Sequence, residues 1–413
     1  MDLPIVIIGA GAAGLTAAIR AGELGASVLV LEKMPTAGRK ILISGAGRCN
    51  LTNQAPLDQF IGQYFNHGRF LYPAFRRFFR PELIDLLKSG LVPVVTEPSG
   101  KVFPASSRSA DVVQALYSRA VAGGVIFRFQ EPALEIILEH DRAVAVRSSR
   151  GHFPAAAVIL AAGGASWPST GSSGDSYRFA EQIGYLVVPI RPALVPLIAP
   201  EPMIRSLSGL SCPNVGLKLM NSGRMTGKAE GDLLFTHFGL SGPAVLRLSR
   251  DFDSKQPADS KVEINLLPQF SQAELTGHLE KNLRRSPRRR LANVLGGELL
   301  PHALVLALLA ITDTPGDLIA AQISRGRIEQ IARTLQHLTL PVSGTRGFRE
   351  AMVTAGGIDL REVDPRTMAS KLVTGFYAAG EALDLDGDTG GFNLQAAFST
   401  GWLAGDSAAR LWQ

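Results

Sequence analysis

The sequence predicts an α/β fold. A parallel-sheet domain is built from both ends of the chain and interrupted by a small antiparallel β-barrel and a helical subdomain. Three observations predict it. A β-branched run opens the chain and breaks into a glycine-rich turn followed by an Ala/Leu-rich stretch. Two more apolar runs ending in small residues appear at 158–164 and 375–381. Between them the hydrophobic pattern is first alternating, over 195–267, and then helical, over 271–337.

Composition bounds the answer. With 413 residues, two or three domains are expected. Hydrophobic residues make up 46% and charged residues 19%, which suits a packed core and excludes a disordered or fibrous chain. The net charge of +6 is too mild to identify a partner but leaves polyanions open. Cys49 and Cys212 are the only cysteines and form no CxxC, so a zinc ribbon and a local redox dithiol are excluded. Two cysteines in a chain of this length suit a reducing cytoplasm. Met1-Asp2-Leu3-Pro4 lacks the basic start of a signal peptide. The apolar stretch Ala303 to Ile311 is far shorter than the roughly 20 residues a membrane span needs.

Pro4 to Ile8 reads as a strand buried on both faces. Gly9-Ala10-Gly11-Ala12-Ala13-Gly14 follows, then a helix over Leu15 to Leu24 and a second strand over Ser27 to Leu31. Gly9 permits a tight turn, Gly11 lets the backbone approach a pyrophosphate, and Gly14 lets helix and strand pack closely. The helix N-terminus presents free N–H groups to the phosphates. Glu32 lies at the tip of the second strand, where a carboxylate can accept bonds from a ribose. This strand–turn–helix setting points to a dinucleotide.

Later segments select FAD. Lys33, Arg39, Lys40 and Arg48 offer charge for phosphate, while Ser44, Gly45, Gly47 and Asn50 allow close approach; a solvated basic loop is the alternative. The strand ending in Ala162-Gly163-Gly164 returns the chain to the cofactor, and a helix is expected over Tyr177 to Ile183. Gly380-Glu381 ends a further strand, with the acid placed to reach a ribityl hydroxyl. Gly391-Phe392-Asn393-Leu394 opens a helix whose N–H groups can face a reduced flavin ring.

The sequence resembles the BaiN/RdsA-like family of FAD-dependent oxidoreductases. The resemblance is carried by Ile8–Gly14, Gly38–Leu42 with Ser44–Asn50, Leu234–Pro243, Ala355–Gly357, and Gly380-Glu381 with Gly390–Asn393. It implies a Rossmann-like FAD-binding domain with an inserted barrel and an inserted helical domain. It also implies reduction of an activated C=C bond. A uridine of ribosomal RNA is one substrate among members, and bile-acid intermediates and amine oxidation are others.

The expected layout is an FAD domain over 1–190 and 345–413. The barrel covers 191–270 and about 338–350, and the helical subdomain 271–337. Ser271-Gln272-Ala273-Glu274 fits a capping box, and Pro287, Pro301 and Pro315 divide the helices. Arg284, Arg285, Arg288, Arg289 and Arg290 form the one dense basic cluster. It could meet an RNA phosphate backbone, or be a solvated helix end; no aromatic residue interleaves it.

Reducing a C=C bond needs a proton donor besides the flavin hydride. Cys49 is one candidate, its pKa expected to fall beside Arg48; a small buried residue packed on the flavin is the other reading. His237 is the second candidate, as a substrate-facing acid or a structural histidine. No second dinucleotide fingerprint follows a strand, so NAD(P)H would visit the flavin transiently as electron donor. No metal spacing or Ser-His-Asp set appears, which excludes metalloenzyme and hydrolase classes. The preferred function is reduction of a ribosomal RNA uridine to dihydrouridine. The alternatives are a small-molecule enone reductase or amine oxidase, and a flavin-bearing binding protein without turnover.

Overall fold

A computed structural model describes residues 3–65, 67–254, 257–296 and 300–412. The chain divides into two compact units, Met1–Ala193 with Phe348–Gln413, and Leu194–Gly347.

In the first unit five parallel strands lie in the order Phe376–Ala378, Ala157–Leu160, Ile5–Ile8, Val28–Glu32, Ile126–Phe129. The central strand pairs Ile5 with Ala157 on one side and Val28 on the other. Its residues Ile5, Val6 and Ile7 are fully buried, which is why this strand shows no alternation. The helix Ala12–Glu23 crosses from the first strand to the second. The helix Phe392–Trp412 packs along it, and Thr16 Oγ1 donates to Phe398 O across the contact at 2.9 Å. A three-stranded antiparallel sheet (Ala133–Glu139, Arg142–Ser148, His152–Pro154) follows the fifth strand in sequence. The expected helix over 177–183 runs earlier, Asp175–Gln182.

The second unit holds a seven-stranded antiparallel sheet. Its longest strands, Ser211–Asn221 and Arg224–Phe235, form a hairpin about the Asn221-Ser222-Gly223 turn. The two outermost strands, Leu338–Pro341 and Gly344–Thr345, are consecutive in the chain. Val342 N–H bonds Ser260 O and Ser343 N–H bonds Ile198 O, both at 2.9 Å, so one short link joins the two edges. The sheet therefore curls on itself as a barrel does. Four helices, Gln272–Arg285, Leu291–Leu295, His302–Ile311 and Arg325–Gln336, sit between its third-last and second-last strands in the chain, Ser260–Asn265 and Leu338–Pro341. Ser271 caps the first, accepting from Glu274 N–H at 3.3 Å while Glu274 Oε2 accepts from Ser271 N–H at 2.8 Å. These helices are no separate body. Leu275, Leu279 and Leu283 share one core with Leu217, Leu219, Val262 and Ile264 of the strands. Among the described residues no helix is long and apolar enough to cross a membrane.

Candidate functional site

The site is built at the ends of the parallel strands in the first unit. Gly9 has φ +101°, and a Cβ there would lie 2.6 Å from Ala161 O, so the turn and the neighbouring strand end require glycine. A Cβ on Gly14 would fall on the Gly9 carbonyl. At Gly11 nothing lies within 4 Å of a Cβ position. Gly11 is also the N-cap of the helix Ala12–Glu23, without a side-chain cap and with no acid in the first turn. The first N–H groups of that helix, Ala12 and Ala13 among them, have no carbonyl of their own helix to bond, and the space beside Gly11 leaves room for a ligand.

Arg39 lies beside it. Gly38 N–H bonds Ala10 O at 2.9 Å and so ties the preceding residue to the glycine loop. The Arg39 Nε is buried and has no partner within the protein. A buried guanidinium nitrogen without an acceptor, next to an open helix N-terminus, fits the diphosphate of FAD.

Glu32 does more than await a ribose. Its Oε2 accepts from Ala10 N–H and its Oε1 from Met34 N–H, each at 2.7 Å. Burial pushes its pKa up against these bonds and the nearby Lys33 and Arg39. It thus braces the glycine loop as well as lining it. Lys33 is already engaged by Ser173 Oγ at 2.6 Å and by Asp175.

Lys40 Nζ donates to Glu381 Oε2 at 2.7 Å and to Ser166 Oγ at 2.9 Å. Glu381 Oε1 accepts from Ser166 Oγ at 2.7 Å and Thr354 N–H at 2.9 Å. Thr354 Oγ1 in turn accepts from Ala165 and Ser166 N–H at 2.8 and 3.1 Å. Glu381 therefore fastens three chain segments, a role the expected ribityl contact did not include. A Cβ on Gly164 would stand 2.7 Å from Glu381 Oε1. Gly163 turns with φ +76°, directly after Ala162 and the strand Ala157–Leu160.

The segment Ser44–Asn53 seats against the N-terminus of the long helix. Asn50, with its amide oriented to satisfy both neighbours, accepts from Gly391 N–H at 3.0 Å and donates to Thr52 O at 3.2 Å. Asn53 Nδ2 donates to Gly390 O at 3.1 Å. Gly391 has φ +96°, and a Cβ there would meet the Thr52 backbone. Asn393 spends its side chain on Gly387 N–H and O, at 2.7 and 2.8 Å. It and Leu394 can therefore offer a cofactor their first-turn N–H groups. Phe392 packs edge-on to Phe60 at 4.6 Å, and Tyr64 Oη donates to Phe392 O at 2.6 Å. Gly380, φ +72°, abuts Ala13.

In this segment one basic residue is already engaged and one expectation is corrected. Arg48 turns to Glu97 at 2.8 Å and stacks over Phe103 at 4.2 Å. Cys49 is not activated: it is fully buried, and burial pushes its thiol up to about 12, against a hydrogen bond with Ser44. Ser44 Oγ itself donates to Ile41 O at 2.7 Å, while Gly45 and Gly47 take positive φ in the same coil.

His237 and the five arginines belong to the second unit. His237 is exposed in the turn after Phe235, edge-on to Phe238 at 5.0 Å. Arg284, Arg285, Arg288, Arg289 and Arg290 are all exposed. Sequence reasoning did not name Ser166, Tyr64 or Thr354 as site residues; Ser166 opens the Gly/Ser-rich turn after Gly163-Gly164 and Thr354 precedes Ala355-Gly356-Gly357, while Tyr64 had no signal.

Comparison with known proteins agrees with the cradle. The chain is 34% identical over 401 residues, 96% of each chain, to a ribosomal RNA dihydrouridine synthase of Escherichia coli. It is 30% identical over 413 residues, 98% of each chain, to a 3-dehydro-bile acid delta(4,6)-reductase of Clostridium scindens. Among solved structures, the Mycobacterium smegmatis Sdh1 complex shares the fold, with a TM-score of 0.55 at 16% identity over 99% of this chain and 68% of that one. The family model for the HI0933-like protein Rossmann domain matches residues 3–407. With a cradle that fits FAD and a match over nearly its whole length, the chain belongs to the HI0933-like family of Rossmann-domain, FAD-dependent oxidoreductases.

Proposed function

We propose that this chain reduces the C5=C6 bond of a uridine in ribosomal RNA, giving dihydrouridine. The observation that carries the reading is the 34% identity to an rRNA dihydrouridine synthase, spread over 96% of both chains. Such a substrate places the reaction in the cytoplasm.

The C5=C6 bond is conjugated to the C4 carbonyl, so hydride adds at C6 and a proton at C5. FAD, when bound, would supply the hydride, and NAD(P)H would be its two-electron source. The chain's own residues do the rest. Ala12 and Ala13 N–H groups with Arg39 would hold the diphosphate, and Glu32 holds the loop that presents them. Lys40, Glu381, Ser166 and Thr354 fix the strand ends that shape the floor. The N-terminus of Phe392–Trp412 favours negative charge developing before it. Cys49 anchors the segment Ser44–Asn53, of which it is part, in the core of the first unit. His237, an exposed side chain, remains the candidate proton donor.

A second reading, reduction of a small-molecule enone, is favoured by the bile-acid reductase relative. Both readings share hydride addition conjugate to a carbonyl. Mass spectrometry of ribosomal RNA from cells lacking this chain separates them. Loss of one dihydrouridine, restored by the parent gene, is the expected result. Unchanged dihydrouridine, with rapid flavin reoxidation by a steroid enone, refutes the RNA reading.

A further inference from the structure

The second unit carries a stretch most of whose charge the fold does not use. The helix Gln272–Arg285 ends in Arg284 and Arg285, and the chain runs through Ser286-Pro287-Arg288-Arg289-Arg290 into the helix Leu291–Leu295. Leu283 and Leu291 are buried at its two ends, while the five arginines are exposed. The backbone between them is pinned. Arg289 N–H bonds Ser286 O at 3.1 Å. Ala320 N–H bonds Arg289 O at 2.9 Å, and Ala321 N–H bonds Pro287 O at 3.1 Å. Leu291 N–H bonds Leu318 O at 2.7 Å.

Stability does not account for these charges. Arg284 and Arg285 complement the C-terminal dipole of their helix, and Arg284 reaches Glu280 at 3.6 Å. Arg288, Arg289 and Arg290 instead precede a helix N-terminus, where the dipole disfavours cations. Arg325 pairs with Glu280 and Glu329, and Arg327 bonds Thr312 O and Gln330. Among the described residues Arg285, Arg288, Arg289 and Arg290 have no carboxylate within ion-pair reach. Four like charges on a pinned backbone repel one another until closely spaced anions meet them. Their planar forks match phosphate oxygens, and a preorganised loop loses little entropy on binding. With no aromatic ring in the stretch, contact with the sugar-phosphate backbone is the chemistry on offer.

We infer that Arg285–Arg290 is a phosphate clamp that grips the ribosomal RNA whose uridine is reduced; the inference rests on the function proposed above. The test uses the FAD-loaded full chain and an unmodified ribosomal RNA transcript, titrated with salt. Changing Arg288, Arg289 and Arg290 together to Ala should weaken binding and make the slope of log affinity against log salt shallower by about 2, at roughly 0.7 per lost contact. The triple Lys variant should recover most of that slope. Flavin reoxidation by ferricyanide should match the parent. Equal affinity and slope in parent and Ala variant overturn the clamp and leave uridine reduction standing. Preferential loss of binding to phosphatidylglycerol vesicles, with RNA binding intact, overturns it in favour of a membrane contact. A parent that binds the transcript steeply yet forms no dihydrouridine refutes the uridine reading, and the clamp's assignment to substrate falls with it.

Discussion

Gly401→Ala tests whether the two helices that frame the cofactor cradle are in backbone contact. A Cβ on Gly401 would fall on Ala13 O and lie 2.6 Å from both Ala13 Cα and Thr16 Oγ1. Carbon atoms pack at roughly 3.5–4.0 Å, so the helices Ala12–Glu23 and Phe392–Trp412 must part by about 1 Å. The opposing atoms are mostly backbone and cannot rotate away. Overpacking of this kind costs about 1–3 kcal/mol. Ala in place of Gly in a helix interior gains about 1 kcal/mol. Packing should win, lowering stability by up to about 2 kcal/mol. Gly277, exposed in the helix Gln272–Arg285 with nothing within 4 Å of its Cβ position, supplies the control. Gly277→Ala should stabilise by about 0.5–1 kcal/mol. In the proposed mode of FAD binding both helix N-termini face the cofactor, so Gly401→Ala should also weaken FAD retention, while Gly277→Ala leaves it unchanged. Thermal melts of the flavin-free protein and flavin titration read the two effects. A Gly401→Ala protein as stable as Gly277→Ala, with parent FAD affinity, would refute the close helix contact.

Glu32→Ala removes the acceptor of two backbone N–H groups, each charge-assisted bond being worth about 1.5–3 kcal/mol. It should therefore lower both FAD affinity and the melting temperature of the flavin-free protein; unchanged flavin titration would show that Glu32 does not serve the cradle. Cys49→Ala should cost on the order of 1 kcal/mol through lost packing and leave substrate-driven flavin reoxidation near the parent rate. Slowing by roughly 10²–10⁴ in rapid mixing would restore the thiol as proton donor; His237→Gln is the variant expected to slow that step. Glu263 is held below the usual carboxylate range chiefly by Lys218, at 2.8 Å, and also by His337. A lowered folded-state pKa stabilises above the unfolded value and is lost as pH falls through the folded one. The stability gap between the parent and Lys218→Met should accordingly be constant near neutral pH and close on acidification; a gap that ignores pH would exclude this pairing.

Features that depend on neighbours in the chain can be read from the residues alone. The β-branched run before Gly9, the capping box at Ser271 and the turn at Asn221-Ser222-Gly223 each specify their own geometry, because the groups that satisfy one another lie within a few residues. The three motifs that end parallel strands, at Gly9, Gly163 and Gly380, were legible for the same reason. What those motifs touch is set by the folded chain. Glu381 is 341 residues from Lys40 and takes its amine, and Gly401 lies against Ala13. The fate of Cys49 was set the same way. Arg48 beside it in sequence promised an activated thiol, but the fold drew Arg48 to Glu97 and Phe103 and closed the core over Cys49. A pKa follows the solvent and charges around a group, and burial is a property of the whole fold that adjacency in the chain does not encode.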